Sequence, residues 1–421
     1  HDDGVSAVYS NDTDGNLTRN LTMLNAVSTV PSDNSGNYGS IWTDYDNDGD
    51  QDLYISKCRL GVTDPNDGRR INLLFQNDGS GNYTEVGVAA GLVPYAQSWA
   101  ASFEDIDNDG DMDCFVINHD QSSYLYQNEG NGTFTNITST SGIAAELSDM
   151  GSDGIQVIMK DFDNDTFVDL FITSRGGDHK LFRNNGDQTF ARMVAPFPTT
   201  NRIQSAACGD LNNDGFVDVI AAFGNGFNSP SNSIADVLFL NSGNDNHWSE
   251  ITLVGNPSNI NGIGARIEIY GAWGKQIRDV RSGDSYGIMN SLKTHFGLGT
   301  ATDITKIVVN WPSGIVDEIL SPNSDESLVI VEGATLNVNE SVSSLFKIYP
   351  NPTNNSVNVE GFNSINLISY EIFDLTGKLV FDKRMLSTTN RQIELNSLNA
   401  GVYILNLYSN NKRYVYKVIK E

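Results

Sequence analysis

The stretch Asp105-Ile-Asp107-Asn-Asp109-Gly110-Asp111-Met-Asp113 puts a carboxylate at every odd position of a nine-residue loop. It has three counterparts. They are Asp44-Tyr-Asp46-Asn-Asp48-Gly49-Asp50-Gln-Asp52, Asp161-Phe-Asp163-Asn-Asp165-Thr166-Phe167-Val-Asp169 and Asp210-Leu-Asn212-Asn-Asp214-Gly215-Phe216-Val-Asp218. Short apolar runs flank each loop, such as Ser98 to Phe103 before it and Cys114-Phe-Val-Ile after it. Runs of that length, rich in β-branched and aromatic residues, read as strands joined by the loop. An apolar triplet and an Asn/Gly turn follow each time, as in Leu73-Leu-Phe-Gln-Asn-Asp-Gly and Tyr124-Leu-Tyr-Gln-Asn-Glu-Gly, which predicts a further hairpin. Each repeat therefore holds about four strands, the size of one propeller blade.

Carboxylates at alternate positions of a tight loop converge, and Ca2+ takes six to eight oxygen ligands. Positions 1, 3, 5 and 9 are expected to offer side chains and position 7 its backbone carbonyl. Loop one then uses Asp44, Asp46, Asp48 and Asp52 with the carbonyl of Asp50, and loop two uses Asp105, Asp107, Asp109 and Asp113 with that of Asp111. Loop three keeps Asp161, Asp163, Asp165 and Asp169 with the carbonyl of Phe167, but has Thr166 where Gly suits the sharp turn. Loop four has Asp210, Asp214 and Asp218 with the carbonyl of Phe216, and Asn212 supplies an uncharged oxygen. The expectation is up to four Ca2+, with loop three strained and loop four weaker. An EF-hand is excluded: position 12 is Ile55, Val116, Ile172 or Ala221 rather than a bidentate Glu.

The charge balance agrees. Fifty-three acidic residues against 26 basic give a net charge of −27, which repels nucleic acid and anionic membranes and attracts cations. No apolar run is long enough to span a membrane. His1 in place of Met reads as a processed, exported N-terminus. Cys58, Cys114 and Cys208 have no metal-ligand spacing and read as buried free thiols. Residues 5–25 resemble half a repeat and are expected to close the propeller by pairing with a C-terminal blade.

With these residues in view, residues 1–257 resemble FG-GAP/VCBS repeats. The resemblance implies a calcium-binding β-propeller, commonly seven-bladed. Residues 258–331 resemble the ASPIC/UnbV module through Gly262-Ile-Gly-Ala-Arg-Ile-Glu-Ile, Arg281-Ser-Gly-Asp-Ser-Tyr-Gly, His295-Phe-Gly-Leu-Gly and Val308-Val-Asn-Trp-Pro-Ser-Gly. This module is expected to complete the last blades. A small polar linker, 332–344, leads to residues 345–421, which read as a small β-sandwich with a Thr-Gly hairpin at 376–377. Through Ile348-Tyr-Pro-Asn-Pro352, Tyr370 to Lys378 and Leu398-Asn-Ala-Gly-Val-Tyr403, they resemble the C-terminal sorting domain of type IX secretion substrates of Bacteroidota. That implies periplasmic transit, recognition by the type IX translocon and surface-attachment machinery, and a location at the cell surface or outside.

The fold class expected is thus all-β, a propeller followed by a sandwich. No Gly-x-Ser-x-Gly, His-Glu-x-x-His or phosphate loop appears, so no catalytic residue is assigned. The expected function is adhesion or recognition of a glycan or protein; the alternative is a glycan-active enzyme on the same scaffold. His119-Asp120 and Asp178-His179 are placed to reach a propeller face, and His295 reads as packed.

Overall fold

The computed structural model describes residues 4, 6–12, 15–20, 22–24, 35–194, 196–198, 202–225, 229–334, 346–360, 368–374, 378–386, 391–409 and 412–421. The chain forms two compact units, His1–Thr335 and Leu336–Glu421. Its single described α-helix, Ala144–Met150, buries Leu147 and Met150 between repeats; all else is strand and turn.

Each Asp loop joins the first two strands of one antiparallel sheet. The first sheet runs Asn37–Thr43, Asp52–Lys57, Leu73–Asn77 and Tyr83–Glu85. The second runs Ser98–Glu104, Asp113–Asn118, Tyr124–Asn128 and Phe134–Asn136, and the third Gly154–Lys160, Asp169–Ser174, Lys180–Asn184 and Phe190–Met193. The fourth has three strands, Arg202–Gly209, Asp218–Gly224 and Val237–Phe239. Second strands such as Asp113–Asn118 are buried along their length, as continuous apolar runs require. Successive first strands are neighbours, the arrangement of the inner strands of a propeller. Large side chains such as Phe103, Phe115 and Phe171 fill the spaces between sheets.

Four repeat sheets are described, not seven, and two expectations about closure change. Val8–Asn11 pairs with Leu17–Asn20 in a two-stranded hairpin of its own, with no pairing to a later sheet among the described residues. Val8 packs on the first repeat, against a cluster containing Leu53, Ile55 and Phe75. Residues 247–331, in turn, form a sandwich. His247–Val254 lies between Thr294–Gly299 and Glu326–Val331, the last in parallel. The facing sheet is ordered Gly274–Asp279, Arg266–Gly271, Ile304–Asn310, Val316–Leu320, and one core including Ile251, Ile267, Phe296, Val309 and Trp311 lies between them. The strand His247–Val254, which the sequence reading placed in the repeat segment 1–257, is thus the central strand of one sheet of this sandwich, through partners at 294–299 and 326–331 that no local pattern reveals.

A segment of this module, Arg281 to Ser291, lies along the inner strands of all four repeats. Tyr286 packs against Tyr38 of the first and Trp99 of the second. Ser102 Oγ donates to Asp284 Oδ1 at 2.7 Å. In the third, Val157 N donates to Ser285 Oγ at 2.9 Å and Gln156 Nε2 to the Tyr286 carbonyl at 2.7 Å. In the fourth, Cys208 N donates to Asn290 Oδ1 at 2.9 Å. The inner edge of the repeats is thus sealed by this strap.

Glu332, the first residue of the expected linker, is anchored: its carboxylate accepts from Ser258 N at 2.7 Å and Ser258 Oγ at 2.8 Å. Residues 335–345 and the expected Thr-Gly hairpin lie outside the described residues. The second unit is a two-sheet sandwich. One sheet holds Lys347–Tyr349, Ser356–Glu360 and Gln392–Glu394; the other is ordered Leu379–Leu386, Ile368–Asp374, Gly401–Ser409, Lys412–Lys420. Phe346, Val357, Ile372, Ile393, Leu405 and Val418 lie in its core.

Candidate metal centre

The four loops share one hydrogen-bond scheme. Position 9 is the keystone: one oxygen accepts from the amide of position 2, the other from the backbone amide of an Asn that ends the third strand or, in the fourth sheet, lies two residues past it. The distances are 3.2 and 2.7 Å at Asp52, 3.0 and 2.8 Å at Asp113, 3.0 and 2.8 Å at Asp169, and 2.9 and 2.8 Å at Asp218. Position 1 accepts from the amide of position 6, as in Gly110 N to Asp105 Oδ2 at 3.1 Å. Position 6 takes a positive φ in each loop: Gly49 +92°, Gly110 +95°, Thr166 +90° and Gly215 +88°. Thr166 thus holds the left-handed conformation expected to strain loop three, without changing the loop's course.

Two sets of residues in this scheme escaped the sequence reading. Position 4 is Asn in every loop, with φ near +60° (Asn47 60°, Asn108 60°, Asn164 57°, Asn213 58°). Its side-chain amide donates to the position-6 carbonyl of the next loop: Asn47 to Gly110 at 3.1 Å, Asn108 to Thr166 at 3.1 Å and Asn164 to Gly215 at 2.9 Å. These bonds stitch the loops into a row. An Asn repeated at a non-ligating position was the available signal. The second set precedes the keystone Asn on the third strand. Gln76 donates to Asp46 Oδ2 at 2.6 Å and Gln127 to Asp107 Oδ2 at 3.0 Å. In loop three this residue is Arg183, bridging Asp163 and Asp165 at 2.8 Å each.

The loops bring their carboxylates together to different degrees. One ligand oxygen from each of Asp44, Asp46 and Asp48 lies within 4.8 Å of the others, and likewise for Asp105, Asp107 and Asp113, and for Asp161, Asp163 and Asp169. Among the described residues, Asp210, Asp214 and Asp218 do not form such a group. There the Asn212 amide turns inward instead, donating to Asp214 Oδ2 at 2.7 Å. Asp50 and Asp111 occupy position 7; Asp111 is buried, and in the other two loops Phe167 and Phe216 pack against Gly186 and Gly243.

Burial raises the carboxyl pKa values, and neighbouring carboxylates add to it. Asp44 reaches about 6, Asp105 and Asp111 about 7, and Asp52 and Asp161 about 8; Asp113 and Asp169 are also held well above the ordinary carboxyl value. Four buried oxygens, Asp46 Oδ1, Asp105 Oδ1, Asp111 Oδ1 and Asp163 Oδ1, have no hydrogen-bond partner. A buried carboxylate oxygen facing other carboxylates with no donor is costly. An all-oxygen donor set of this kind fits a hard divalent cation.

The sandwich sits on this row of loops. Arg266 donates to the Asp44 carbonyl at 2.8 Å, and its guanidinium also meets Asn47. A Cβ at Gly110 would collide with Lys275, one at Gly297 with Asp161 and Asn164, and one at Gly215 with Trp248. His295 Nε2 lies 2.7 Å from Asn164 Oδ1, and burial lowers its pKa to about 3. His179 accepts from Ser174 N at 3.0 Å within a buried aromatic cluster; the His119-Asp120 pair lines an open cavity.

These modules have known counterparts. The FG-GAP-like repeat family matches residues 105–172 and 161–221, the ASPIC and UnbV family 255–337, and the secretion system C-terminal sorting domain 347–421. The chain is a repeat protein exported by type IX secretion to the cell surface or the extracellular space, where its sorting domain is what the secretion machinery handles. It is homologous to cartilage acidic protein 1: 25% identical to the Homo sapiens protein over 288 residues, 61% of this chain and 41% of that protein. The Xenopus tropicalis protein is 29% identical over 140 residues, 32% of this chain and 21% of that protein. The chain thus spans less than half the length of these relatives. Among solved structures, an Agrocybe aegerita lectin specific for non-reducing terminal N-acetylglucosamine aligns at TM-score 0.37 and 14% identity, covering 100% of this chain and 88% of that one. The extracellular domain of a B. thetaiotaomicron hybrid two-component system aligns at 0.28 and 13%, covering 94% and 46%. No described helix is long and apolar enough to cross a membrane.

Proposed function

We propose that loops one to three bind Ca2+ and that the ions hold a propeller-like repeat array together, with the ASPIC/UnbV sandwich seated on it. The protein then serves as an extracellular recognition or adhesion module for a glycan or protein, attached at the surface by the machinery that reads its sorting domain. The supporting observation is the set of donorless, buried carboxylate oxygens at Asp46, Asp105, Asp111 and Asp163. Bound Ca2+ would accept their lone pairs and remove the repulsion that raises these pKa values. The position-4 and position-6 groups bonded between loops would transmit that order to the sandwich, so the ligand-binding surface lies away from the loop row. Recognition is favoured over catalysis because the carboxylate pairs are already committed to the loops.

Calorimetric titration of chelator-treated protein with CaCl2 is expected to show at least two saturable sites. A flat titration, with no change in melting temperature, would overturn the metal role. A glycan array probed with and without Ca2+ addresses the recognition role; binding in both or only in Ca2+ supports it, and turnover of a glycan would favour the enzyme reading. Loop three carries its own prediction. Arg183 neutralises part of its charge from a half-exposed position, so Arg183→Gln should tighten Ca2+ binding there by about fivefold, the scale of an exposed ion pair. Calorimetry of the variant checks this.

A further inference from the structure

The interface between repeats is left open at one end of the array. In each of the first three sheets, side chains at three matching positions pack on the next sheet. They are Tyr45, Tyr54 and Leu74 in the first, Ile106, Phe115 and Leu125 in the second, and Phe162, Phe171 and Leu181 in the third. Their counterparts in the fourth sheet, Leu211, Ile220 and Leu238, are 52%, 41% and 46% exposed. Leu240, 56% exposed, stands beside them where the earlier repeats have Gln76, Gln127 and Arg183. An apolar side chain thus replaces a polar one on the face that is uncovered, the reverse of what a solvated end requires.

The row of loops is open at the same end. Asn47, Asn108 and Asn164 each donate to the next loop. Asn213 has the same backbone conformation, φ 58°, but its side-chain amide is exposed and has no acceptor among the described residues.

The complementary half of this interface stands at the other end. Where the first and second sheets meet, the rings of Tyr54 and Phe103 lie 5.6 Å apart and those of Tyr45 and Phe134 6.0 Å apart. At the positions of Phe103 and Phe134 the first sheet has Trp42 and Tyr83, packed edge to face at 6.0 Å. Trp42 is 43% exposed, whereas its counterparts Phe103, Met159 and Cys208 are buried. The N-terminal hairpin places Val8 on the Leu53, Ile55 and Phe75 part of this face; Trp42 and Gly49, at its loop end, stay exposed.

We infer that the chain associates with a second copy of itself head to tail, the fourth sheet of one copy seated on the first sheet of the next. Ile220 and Leu211 then meet Trp42 and Tyr83 of the second copy, as Tyr54 and Tyr45 meet Phe103 and Phe134 within the chain. Asn213 donates to the Gly49 carbonyl, as Asn47 does to that of Gly110. The contact continues an interface that the chain already makes three times, and its two halves are different surfaces of one chain.

Sedimentation of the full chain tests this, in CaCl2 and about 0.3 M NaCl to screen the net charge of −27. The weight-average mass should rise from one copy to two or more between about 1 and 100 µM, the range of a small, transient interface. Ile220→Asp and Trp42→Asp, both at exposed positions, should each weaken self-association at least tenfold. Mixed together, the two variants should form a one-to-one pair, because one retains an intact first sheet and the other an intact fourth. A wild-type protein of one-copy mass at every concentration would overturn the inference, as would a Trp42→Asp variant that self-associates normally or a mixture of folded variants that stays monomeric. The wild-type mass decides even where a variant fails to fold.

Discussion

Chelation with EDTA should lower the melting temperature of this protein by on the order of 15 °C, and the gap should widen as pH rises. Each Ca2+ site held at 100 times its dissociation constant adds about 2.7 kcal/mol, so three sites add about 8 kcal/mol. At about 2 °C per kcal/mol for a unit of this size, that gives the stated shift. The pH dependence follows from the raised carboxyl groups. Asp44, Asp105, Asp111, Asp52 and Asp161 have folded pKa values of about 6, 7, 7, 8 and 8, above those of an unfolded chain near 4. The metal-free folded state therefore binds more protons than the unfolded one between about pH 4 and 8. Its stability is fully present below that window and is lost as pH rises through the folded values. Ca2+ keeps these groups ionised and removes that loss, so the gap between loaded and chelated protein grows from pH 5 to pH 8. Thermal melts at both pH values, with CaCl2 or EDTA, test this; a chelated protein that gains stability from pH 5 to 8 would contradict it.

Asp113→Ala should destabilise the protein by about 4 kcal/mol even in EDTA. Its two oxygens satisfy the amides of Ile106 and Asn128, at 3.0 and 2.8 Å, at a fully buried position. Alanine orphans both amides, each costing about 1–3 kcal/mol, and leaves a cavity. Asp48 is exposed and bonds within its own loop, so Asp48→Ala should matter only when metal is present. Urea denaturation of both variants, with and without chelator, separates the keystone role from the ligand role. Equal effects in EDTA would merge the two roles and defeat this account of position 9.

How much of this was legible in the sequence follows from the range of each interaction. The Asp loops, their flanking strands and the hairpin after each were readable because ligand spacing, turn chemistry and strand alternation are local. The difference between loops three and four was half readable. Asn212 announced a missing carboxylate, but the charge that most changes loop three comes from Arg183, on the third strand. Asn47, Asn108 and Asn164 were visible as a repeated letter, yet their acceptors belong to the next repeat. The sandwich boundary and the strap from Arg281 to Ser291 were not legible. Both rest on pairings between residues far apart in the chain, such as Ser249 with Glu326 and Ser102 with Asp284, and glycine-rich alternation looks the same in a blade and in a sandwich.

The central claim is that Asp carboxylates in loops one to three converge on calcium ions. Diffraction from crystals grown with CaCl2, collected at a wavelength where calcium scatters anomalously, tests it most directly. The account predicts anomalous peaks within the Asp44–Asp52, Asp105–Asp113 and Asp161–Asp169 loops, each about 2.3–2.6 Å from its carboxylate oxygens. Loops without anomalous density, their buried oxygens facing protons or water instead, would contradict it.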